Sequence, residues 1–280
     1  MNSDAYISSN VGVYPAILKG REGRMNGQII RYLALNGPSL IYSVAKDLGS
    51  RSQTKVHYPT VNRRMHELVR RQYVEKAGTR ITKAGIPADL YTTRTRGDFA
   101  ALAGILDSSG KYTSEMSPKE IRQMIASASS REGSPFVLLL HILEEGQAGI
   151  DLVDRELVPE IIKGVRSGYL NLDAVDEEVI CSSFSSLIAR KITSLMNPSG
   201  GHQSTRSVGV YRAHVDILMR SIEKTIAPSH HLVANAKASH KDNVGLTSRL
   251  RKQESQLTPI SGRWGSELKV FLRLHSVRFE

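Results

Sequence analysis

Apolar residues recur at three- and four-residue spacing in the first fifty residues, the pattern of helices with one buried face. The first helix is predicted to begin at Asn26, because Asn favours the capping position, and to end at Asn36-Gly37-Pro38. A second helix is predicted between Ser39, as its cap, and Gly49. The buried stripes of the two helices are Ile29, Ile30 and Leu33, then Ile41, Val44, Ala45 and Leu48.

A third helix is predicted from Pro59 to about Gln72, since the N–H that proline lacks is left free in a first turn anyway. Its apolar residues share one face: Val61, Met65, Leu68 and Val69. The opposite face must then point outward. That outer face is polar and mostly basic, and consists of Thr60, Arg63, His66, Glu67, Arg70 and Arg71, with Asn62 and Arg64 on its flanks.

Such a surface has the chemistry to read DNA, because arginine pairs bidentately with guanine and asparagine with adenine. A solvated helix is the alternative, with Glu67 pairing Arg63 or Arg71 one turn away. The helix pattern taken by itself leaves both interpretations open.

The residues that follow predict a hairpin and a fourth helix. Tyr73–Lys76 and Leu90–Thr93 are strand-like, and residues 77–88 between them form a polar loop. Arg80 and Lys83 give that loop a basic tip. The fourth helix is predicted from the spacing of Phe99, Leu102, Ile105 and Leu106.

The order helix, helix, helix, hairpin, helix over residues 26–106 resembles the winged helix-turn-helix superfamily, in particular the PadR, MarR and ArsR-type transcription regulators. Its most specific stretches are LIYSVAKDLG at 40–49, PTVNRRMHELVRRQYVEK at 59–76 and LYTTRTRG at 90–97. The resemblance implies that helix 59–71 enters the major groove of DNA, and that a wing near 78–86 contacts the backbone or the minor groove.

Individual roles follow from this resemblance. It implies base or near-base contacts for Thr60, Asn62, Arg63 and Arg64, and phosphate contacts for Arg70, Arg71, Arg80 and Lys83. The interval 49–58 is longer than a tight helix-turn-helix turn, so we expect an extra basic loop that includes Arg51 and Lys55. Gln72 stands where many relatives have a left-handed glycine, which predicts that the third helix ends differently or slightly later.

The fold class is therefore predicted as mainly α with a small β-hairpin wing, in two domains. We expect a basic arm at 1–25, a winged helix-turn-helix domain at 26–110 and an all-helical domain at 111–280, with the boundary in the polar stretch Asp107–Pro118. The second domain would serve dimerisation, sensing or partner contact.

Several features organise the predicted helical domain. Ser117-Pro118-Lys119-Glu120 has the spacing of a capping box, and the run FVLLLHIL at 136–143 is apolar on all sides, as in a core. Asp173 is expected to cap a helix over 173–196. A further helix over 207–226 has a coiled-coil-like stripe, so the two form either an antiparallel hairpin within the chain or the seam of a homodimer.

Charge supports a polyanionic partner. The net charge is +11 and the pI about 9.8. Residues 1–110 carry a net +8 and residues 198–280 a net +7, whereas residues 111–197 carry −4. The basic ends are therefore expected to meet the polyanion, although basic surfaces also occur in proteins that bind nothing charged. The segment 229–263 is basic and poorly periodic, and is interpreted as a connection.

The sequence offers little for catalysis, and we predict no enzyme and no cofactor. His141 lies one turn from Glu144 and Glu145, but without a companion metal-binding motif. Cys181, the single cysteine, is interpreted as inert packing. No apolar run reaches membrane-spanning length and no secretory signal is present, so a cytoplasmic protein without membrane contact is expected.

The function predicted from these features is a sequence-selective, double-stranded DNA-binding transcription regulator. One alternative is a winged-helix module that binds protein in a larger replication, segregation or transcription assembly. Another is a nucleic-acid enzyme that uses His141 and Glu145.

Overall fold

A computed structural model describes residues 14–51, 56–106, 112–113, 115–131, 133–196 and 205–226. The chain divides into two compact units. The first comprises the described residues up to Ala128 together with Pro159–Ile180, and the second comprises Ser129–Val158 with the described residues from Cys181 onward. The fold is mainly helical with a small three-stranded antiparallel sheet. The expected boundary at Asp107–Pro118 thus falls inside the first unit.

The elements follow one another along the chain. A 3-10 helix, Ala16–Leu18, precedes α1 (Gly20–Asn36), β1 (Ser39–Leu40), α2 (Ile41–Arg51), α3 (Tyr58–Arg70), β2 (Val74–Ile81), β3 (Pro87–Thr93) and α4 (Thr95–Ala103). A short hairpin of β4 (Ile105–Leu106) and β5 (Tyr112–Thr113) comes next. The remaining elements are α5 (Pro118–Ser129), α6 (Phe136–Leu143), α7 (Gln147–Leu152), a π-helical stretch Val153–Leu157, α8 (Val158–Arg166), α9 (Glu177–Met196) and α10 (Thr205–Ile226).

The predicted buried stripes of the first three helices are confirmed. Helices α1 and α2 both pack on α3, and α1 also packs on α4. The side chains that meet there are almost completely removed from solvent: Ile29, Ile30, Leu33, Val44, Leu48, Val61, Met65 and Leu68. Val69, predicted for the same face, is only half-buried. This apolar core fixes which side of α3 faces outward.

The first helix begins earlier than predicted. It starts at Gly20, and Asn26 is a buried residue whose amide donates to the carbonyl oxygen of Ile17 at 2.7 Å. Asn26 therefore joins the 3-10 turn to α1 instead of capping a helix. Residues 14–25 of the expected basic arm are part of this folded segment, with Tyr14 and Leu18 buried, whereas residues 1–13 lie outside the described part.

The three-stranded sheet has the order β1-β3-β2, with every pairing antiparallel. Strands β2 and β3 are longer than predicted, so only residues 82–86 remain as the connecting loop. The register opposes Val74 to Thr93 at the base and Ile81 to Pro87 at the end, with an irregularity between Lys76 and Gly78. The outer strand positions are mostly polar because this part of the hairpin projects beyond the core into solvent. Their sequence pattern therefore does not indicate a strand.

The fourth helix is shorter than predicted. It ends at Ala103, where Gly104 adopts φ +79°, and Ile105 and Leu106 then form a strand paired with Tyr112 and Thr113. A left-handed glycine reverses the chain direction, so the apolar spacing that continues beyond it belongs to a strand.

Gln72 ends α3 in the left-handed conformation, at φ +61°. The N–H of Tyr73 donates to the carbonyl of Leu68 at 3.0 Å, and that of Gln72 to Val69 at 2.9 Å, which is the hydrogen-bond pattern of a Schellman motif. The predicted different or later end is thus wrong. The helix ends where a glycine would end it. The backbone of Gln72 adopts a conformation that is disfavoured for a residue with a side chain.

Replacing Gln72 with Gly should stabilise the first unit by about 0.5–1 kcal/mol, because relief of the left-handed conformation outweighs loss of the long hydrogen bond that the Gln72 side chain accepts from Arg96 at 3.4 Å. Replacing it with the β-branched Val should destabilise it. Urea unfolding measures both. Gln123→Gly, in the right-handed helix α5, is the contrasting variant and should cost about 1–2 kcal/mol, because it also removes the hydrogen bond from its amide to the carbonyl of Leu35 at 2.8 Å. Destabilisation by Gln72→Gly would contradict the left-handed end.

The predicted capping box at the start of α5 is confirmed. Ser117 Oγ accepts the N–H of Glu120 at 3.3 Å, and a carboxylate oxygen of Glu120 accepts the N–H of Ser117 at 2.9 Å. The same carboxylate pairs with Arg31 of α1 at 2.8 Å. The Arg31 guanidinium and the Ser117 donors lower the pKa of Glu120 from 4.5 to about 2.

This depressed pKa predicts a pH-dependent contribution to stability. The ionised form is bound more strongly in the folded state, so the stabilisation is complete above the ordinary pKa and is lost as the pH falls towards 2. Glu120→Gln should therefore cost about 1–2 kcal/mol at neutral pH, and progressively less below pH 4.5, in denaturant unfolding at several pH values. Glu223→Gln, at an exposed site on α10, is the control. A loss that is independent of pH would contradict the assignment.

The second unit buries the apolar run at 136–143, as predicted. Phe136, Leu138, Leu139 and Ile142 of α6 are inaccessible, and α10 packs against α6 and α7. Leu218 and Ile222 of the predicted α10 stripe are buried within this unit. Among the described helices, none combines the length and apolar character needed to cross a membrane.

The start of α9 differs from its prediction. Asp176, not Asp173, accepts a backbone hydrogen bond in the first turn, from the N–H of Glu178 at 2.9 Å. Asp173 instead accepts the N–H of Ala16 at 3.2 Å and lies 3.0 Å from the Tyr73 hydroxyl. The helix begins four residues late because Asp173 is engaged elsewhere in the first unit.

Candidate nucleic-acid interface

The outer face of α3 carries several solvent-exposed cations. Arg63 and Arg70 are largely exposed, Arg71 and His66 are exposed, and Thr60 and Asn62 are half-buried. With the opposite face held in the core, these side chains cannot turn inward. Their donors are available to a ligand that approaches α3 from solvent.

Arg64 has a different environment from its neighbour Arg63. Its side chain is only 10 % exposed and donates to the carboxylate of Glu22 on α1. Arg63 is 71 % exposed, and its guanidinium lies 3.9 Å from the same carboxylate. Arg64 thus joins α3 to α1 through Glu22, and the predicted base contact would require this pair to break.

Glu67 binds the two arginines at the end of α3. Its carboxylate accepts from Arg70 at 2.7 Å and from Arg71 at 2.7 Å. Hydrogen bonds from Arg71 and then Arg70 lower the pKa of Glu67, so the carboxylate stays ionised and offsets part of their charge. The ion pair between Glu67 and Arg71, expected if α3 is simply a solvated helix, is thus present. The exposed arginines nevertheless remain accessible for exchange with another anion, because surface ion pairs are weak.

The end of the β2–β3 hairpin supplies further positive charge. We call residues Thr82–Ile86 the hairpin tip. Lys83 in the tip and Arg80 beside it are exposed. Two backbone hydrogen bonds hold the tip in shape, from Thr82 N–H to the carbonyl of Ile86 and from Gly85 N–H to that of Thr82, each at 2.9 Å.

A groove of about 730 Å³ separates α3 from the hairpin. Asn62 and His66 line its helix side, and Arg80 and Lys83 line its hairpin side. Its floor includes the nearly buried Tyr91, whose ring meets that of His66 edge-on at 6.4 Å between centroids. The groove therefore has hydrogen-bond donors on both walls.

One acidic residue lies in the groove. The Asp89 carboxylate is 2.7 Å from the ammonium group of Lys76 on the neighbouring strand. This pairing offsets the Asp89 charge across β2 and β3, leaving Arg80 and Lys83 to set the sign of the hairpin side.

The base of the hairpin is braced by a distant part of the chain. The buried hydroxyl of Tyr73 lies 3.3 Å from the carbonyl oxygen of Leu172 and 3.0 Å from the Asp173 carboxylate. Burial and the neighbouring Asp173 carboxylate raise the pKa of Tyr73, so the phenol keeps its proton. The guanidinium of Arg96 lies 5.7 Å from the centre of the Tyr73 ring and donates to the carbonyl of Ala174 at 2.9 Å. Together with the pairing of β1 and β3, these contacts hold the base of the hairpin against the core.

The structure brings together some of the predicted site residues and separates others. Asn62, Arg80 and Lys83 line one groove. Thr60, Arg63, Arg70 and Arg71 lie on α3 outside it, and Arg64 is removed to the helix–helix contact. Lys55, predicted in the basic loop after α2, lies outside the described residues.

Sequence reasoning missed two aromatic residues of this site. Tyr42 and Tyr58 line the groove and are both exposed. Tyr42 directly follows Ile41 and so falls off the buried stripe of α2, and Tyr58 directly precedes the predicted start of α3. The sequence signal that could have identified these two residues is an aromatic side chain next to the apolar stripe of a helix.

The enzymatic alternative gains no metal site from the described residues, where no three His, Cys, Asp or Glu side chains converge to hold an ion. His141 lies 3.2 Å from Glu144. Glu145, the other candidate, pairs with Arg220 at 2.8 Å and Lys224 at 2.7 Å instead. The hydrogen bond from Lys224, and then that from Arg220, lower the pKa of Glu145.

No protein-family model, no curated protein and no solved structure matches the chain. The geometry of α3 and the hairpin is therefore the feature that bears on function.

Arg64→Ala should destabilise the first unit by about 1–2 kcal/mol, because it removes both a charge-assisted hydrogen bond and a packed aliphatic stem. Arg63→Ala, one residue away and exposed, is the matched control and should change stability by less than about 0.5 kcal/mol. Urea unfolding of the two variants measures the difference. Equal losses would contradict the distinct placement of the two arginines.

Proposed function

We propose that the chain is a sequence-selective, double-stranded DNA-binding transcription regulator of the winged-helix type. The observation that carries the proposal is the amphipathic α3, with its apolar side in the core and its arginine-rich side in solvent, beside a hairpin with a basic tip. The element order from α1 to α4, with β1 pairing on the hairpin, supports a winged-helix arrangement. In this proposal the chain binds DNA and catalyses no reaction.

Each exposed group has a role in the proposed complex. Helix α3 enters the major groove, where Arg63 and Asn62 read base edges and Thr60 contacts a nearby base or phosphate. Arg70 and Arg71 exchange Glu67 for phosphates. The groove beside α3 then accommodates one sugar–phosphate strand, with Arg80 and Lys83 donating to it from the hairpin.

A second candidate function, contact with a protein partner, is favoured by exposed apolar residues at the start of α9. Val175 is 95 % exposed and Val179 is 50 % exposed. Exposed valine side chains can contribute apolar area to an interface. This surface is compatible with a module in a larger assembly, and also with a regulator that contacts a second protein.

Selection of bound sequences from a random duplex library tests the proposal directly. We expect a consensus to emerge, with affinity falling at about 0.9 log units per phosphate contact for each log unit of salt. A palindromic consensus would support the homodimer predicted through residues 173–196 and 207–226. Absence of duplex affinity at low salt, together with a stoichiometric protein partner from native lysate, would favour the second candidate instead.

Arg63→Ala should weaken binding to the selected sequence by about 1–3 kcal/mol and relax the base preference at one position. Lys83→Ala should weaken all duplexes alike and reduce the salt slope by about one contact, because a phosphate carries no sequence information. Fluorescence anisotropy on the selected and a scrambled duplex measures both effects. Arg155→Ala, an exposed arginine in the second unit, is the control. Equal losses on both duplexes for Arg63→Ala and Lys83→Ala would contradict the separate roles.

A further inference from the structure

Two large apolar side chains are exposed beside the cations of the hairpin tip. Ile81 ends β2 and is 64 % exposed, and Ile86 closes the tip and is 63 % exposed. They stand on either side of the loop that carries Lys83, with Arg80 directly before Ile81. Isoleucines are among the residues most often buried, so a pair at the end of a projecting hairpin calls for a contact outside the fold.

The tip is held in one conformation rather than exposed by fraying. Thr82 bonds to Ile86 twice, through its N–H to the carbonyl oxygen at 2.9 Å and through its Oγ1, which accepts the N–H of Ile86 at 3.2 Å. Gly85 makes the turn with φ +75°. Isoleucine also has few rotamers, since its Cβ is branched. The two isoleucines are therefore already ordered in solvent. Binding costs them little further conformational entropy.

The surroundings of the two isoleucines indicate what covers them. A protein surface of apolar character would not call for cations at the same point, whereas Arg80 and Lys83 lie directly beside Ile81 and Ile86. A basic tip with an apolar end matches the minor groove of DNA, where phosphates line both edges and the apolar faces of the bases become accessible when a base step unstacks. Proteins that insert apolar side chains at such a place unstack a base step and bend the duplex.

The dimensions of the hairpin fit this location. The exposed part of β2, Lys76–Ile81, extends roughly 20 Å. With α3 in the major groove, a projection of this length reaches the adjacent minor groove. That groove is only about 6 Å wide, so a two-stranded tip must widen it to enter.

We propose that the hairpin tip inserts Ile81 and Ile86 into the minor groove and bends the bound DNA away from the tip, towards the major groove. This inference rests on the proposed DNA-binding function and adds a mechanical outcome to it. Arg80 and Lys83 hold the phosphates of the widened groove, while the isoleucines separate the base pairs.

The test is the end-to-end distance of a duplex of about 20 base pairs, roughly 70 Å long, that carries a donor and an acceptor fluorophore at its ends. The probe is a mixed-sequence duplex with flexible TA steps near its centre, bound by the full chain at low salt. We expect binding to shorten the distance between the fluorophores. The double variant Ile81→Ser, Ile86→Ser should bind about five- to tenfold more weakly and, at saturation, leave the duplex straight.

Controls separate this inference from the proposed function. Val175→Ser alters an apolar residue that is at least as exposed and should leave both affinity and bend unchanged. Lys83→Ala should weaken binding but keep the bend at saturation. A wild-type chain that binds the duplex without bending it, or a serine variant that bends it equally, overturns the inference alone. A wild-type chain with no duplex affinity overturns the DNA-binding proposal as well.

Discussion

The arrangement of the whole candidate site depends on the burial of one side of α3. Val61, Met65 and Leu68 are removed from solvent against α1 and α2, and each such side chain contributes about 1.5–3 kcal/mol when buried. Rotating the helix by half a turn would lose these contributions and force guanidinium groups into the core. That cost approaches the entire stability of an ordinary domain, about 5–15 kcal/mol. The direction of the arginines is thus fixed by the apolar residues between them.

Carboxylates regulate how much of this positive charge is available. Glu22 forms an ion pair with Arg64 and lies near Arg63, while Glu67 forms ion pairs with Arg70 and Arg71. Two acidic groups therefore divide their charge among four basic ones. The pairing is unequal, since Arg64 is held inside the protein and the others are held at its surface. An incoming phosphate would compete for the surface arginines only, where water already weakens the existing pairs.

Local sequence rules were sufficient where the deciding contacts are close in the chain. The stripes of the first three helices, the proline in the first turn of α3 and the reciprocal hydrogen bonds between Ser117 and Glu120 all involve neighbours within two turns. The rules failed where a partner is remote. Arg64 lies about 60° from Val61 around the helix, which marks it as a flanking residue, and only Glu22, forty-two positions earlier, makes it an interior one. Asp173 is likewise predicted to cap the nearest helix, although its carboxylate forms hydrogen bonds with Tyr73 and Ala16. Which of the flanking side chains reach a ligand thus depends on contacts between elements.

The brace at the foot of the hairpin has a consequence for how the protein is made. Tyr73 and Asp173 are separated by 100 positions, and Arg96 and Ala174 by 78. A nascent chain that has just emerged through α4 can assemble the three helices, yet it still lacks the groups that complete the environment of the tyrosine hydroxyl. The last supporting contacts of the hairpin therefore form late in synthesis, after roughly 70 further residues have been added at a rate of about 5–20 per second. A fragment cut after residue 106 would carry every side chain of the site while leaving its supporting contact unmade.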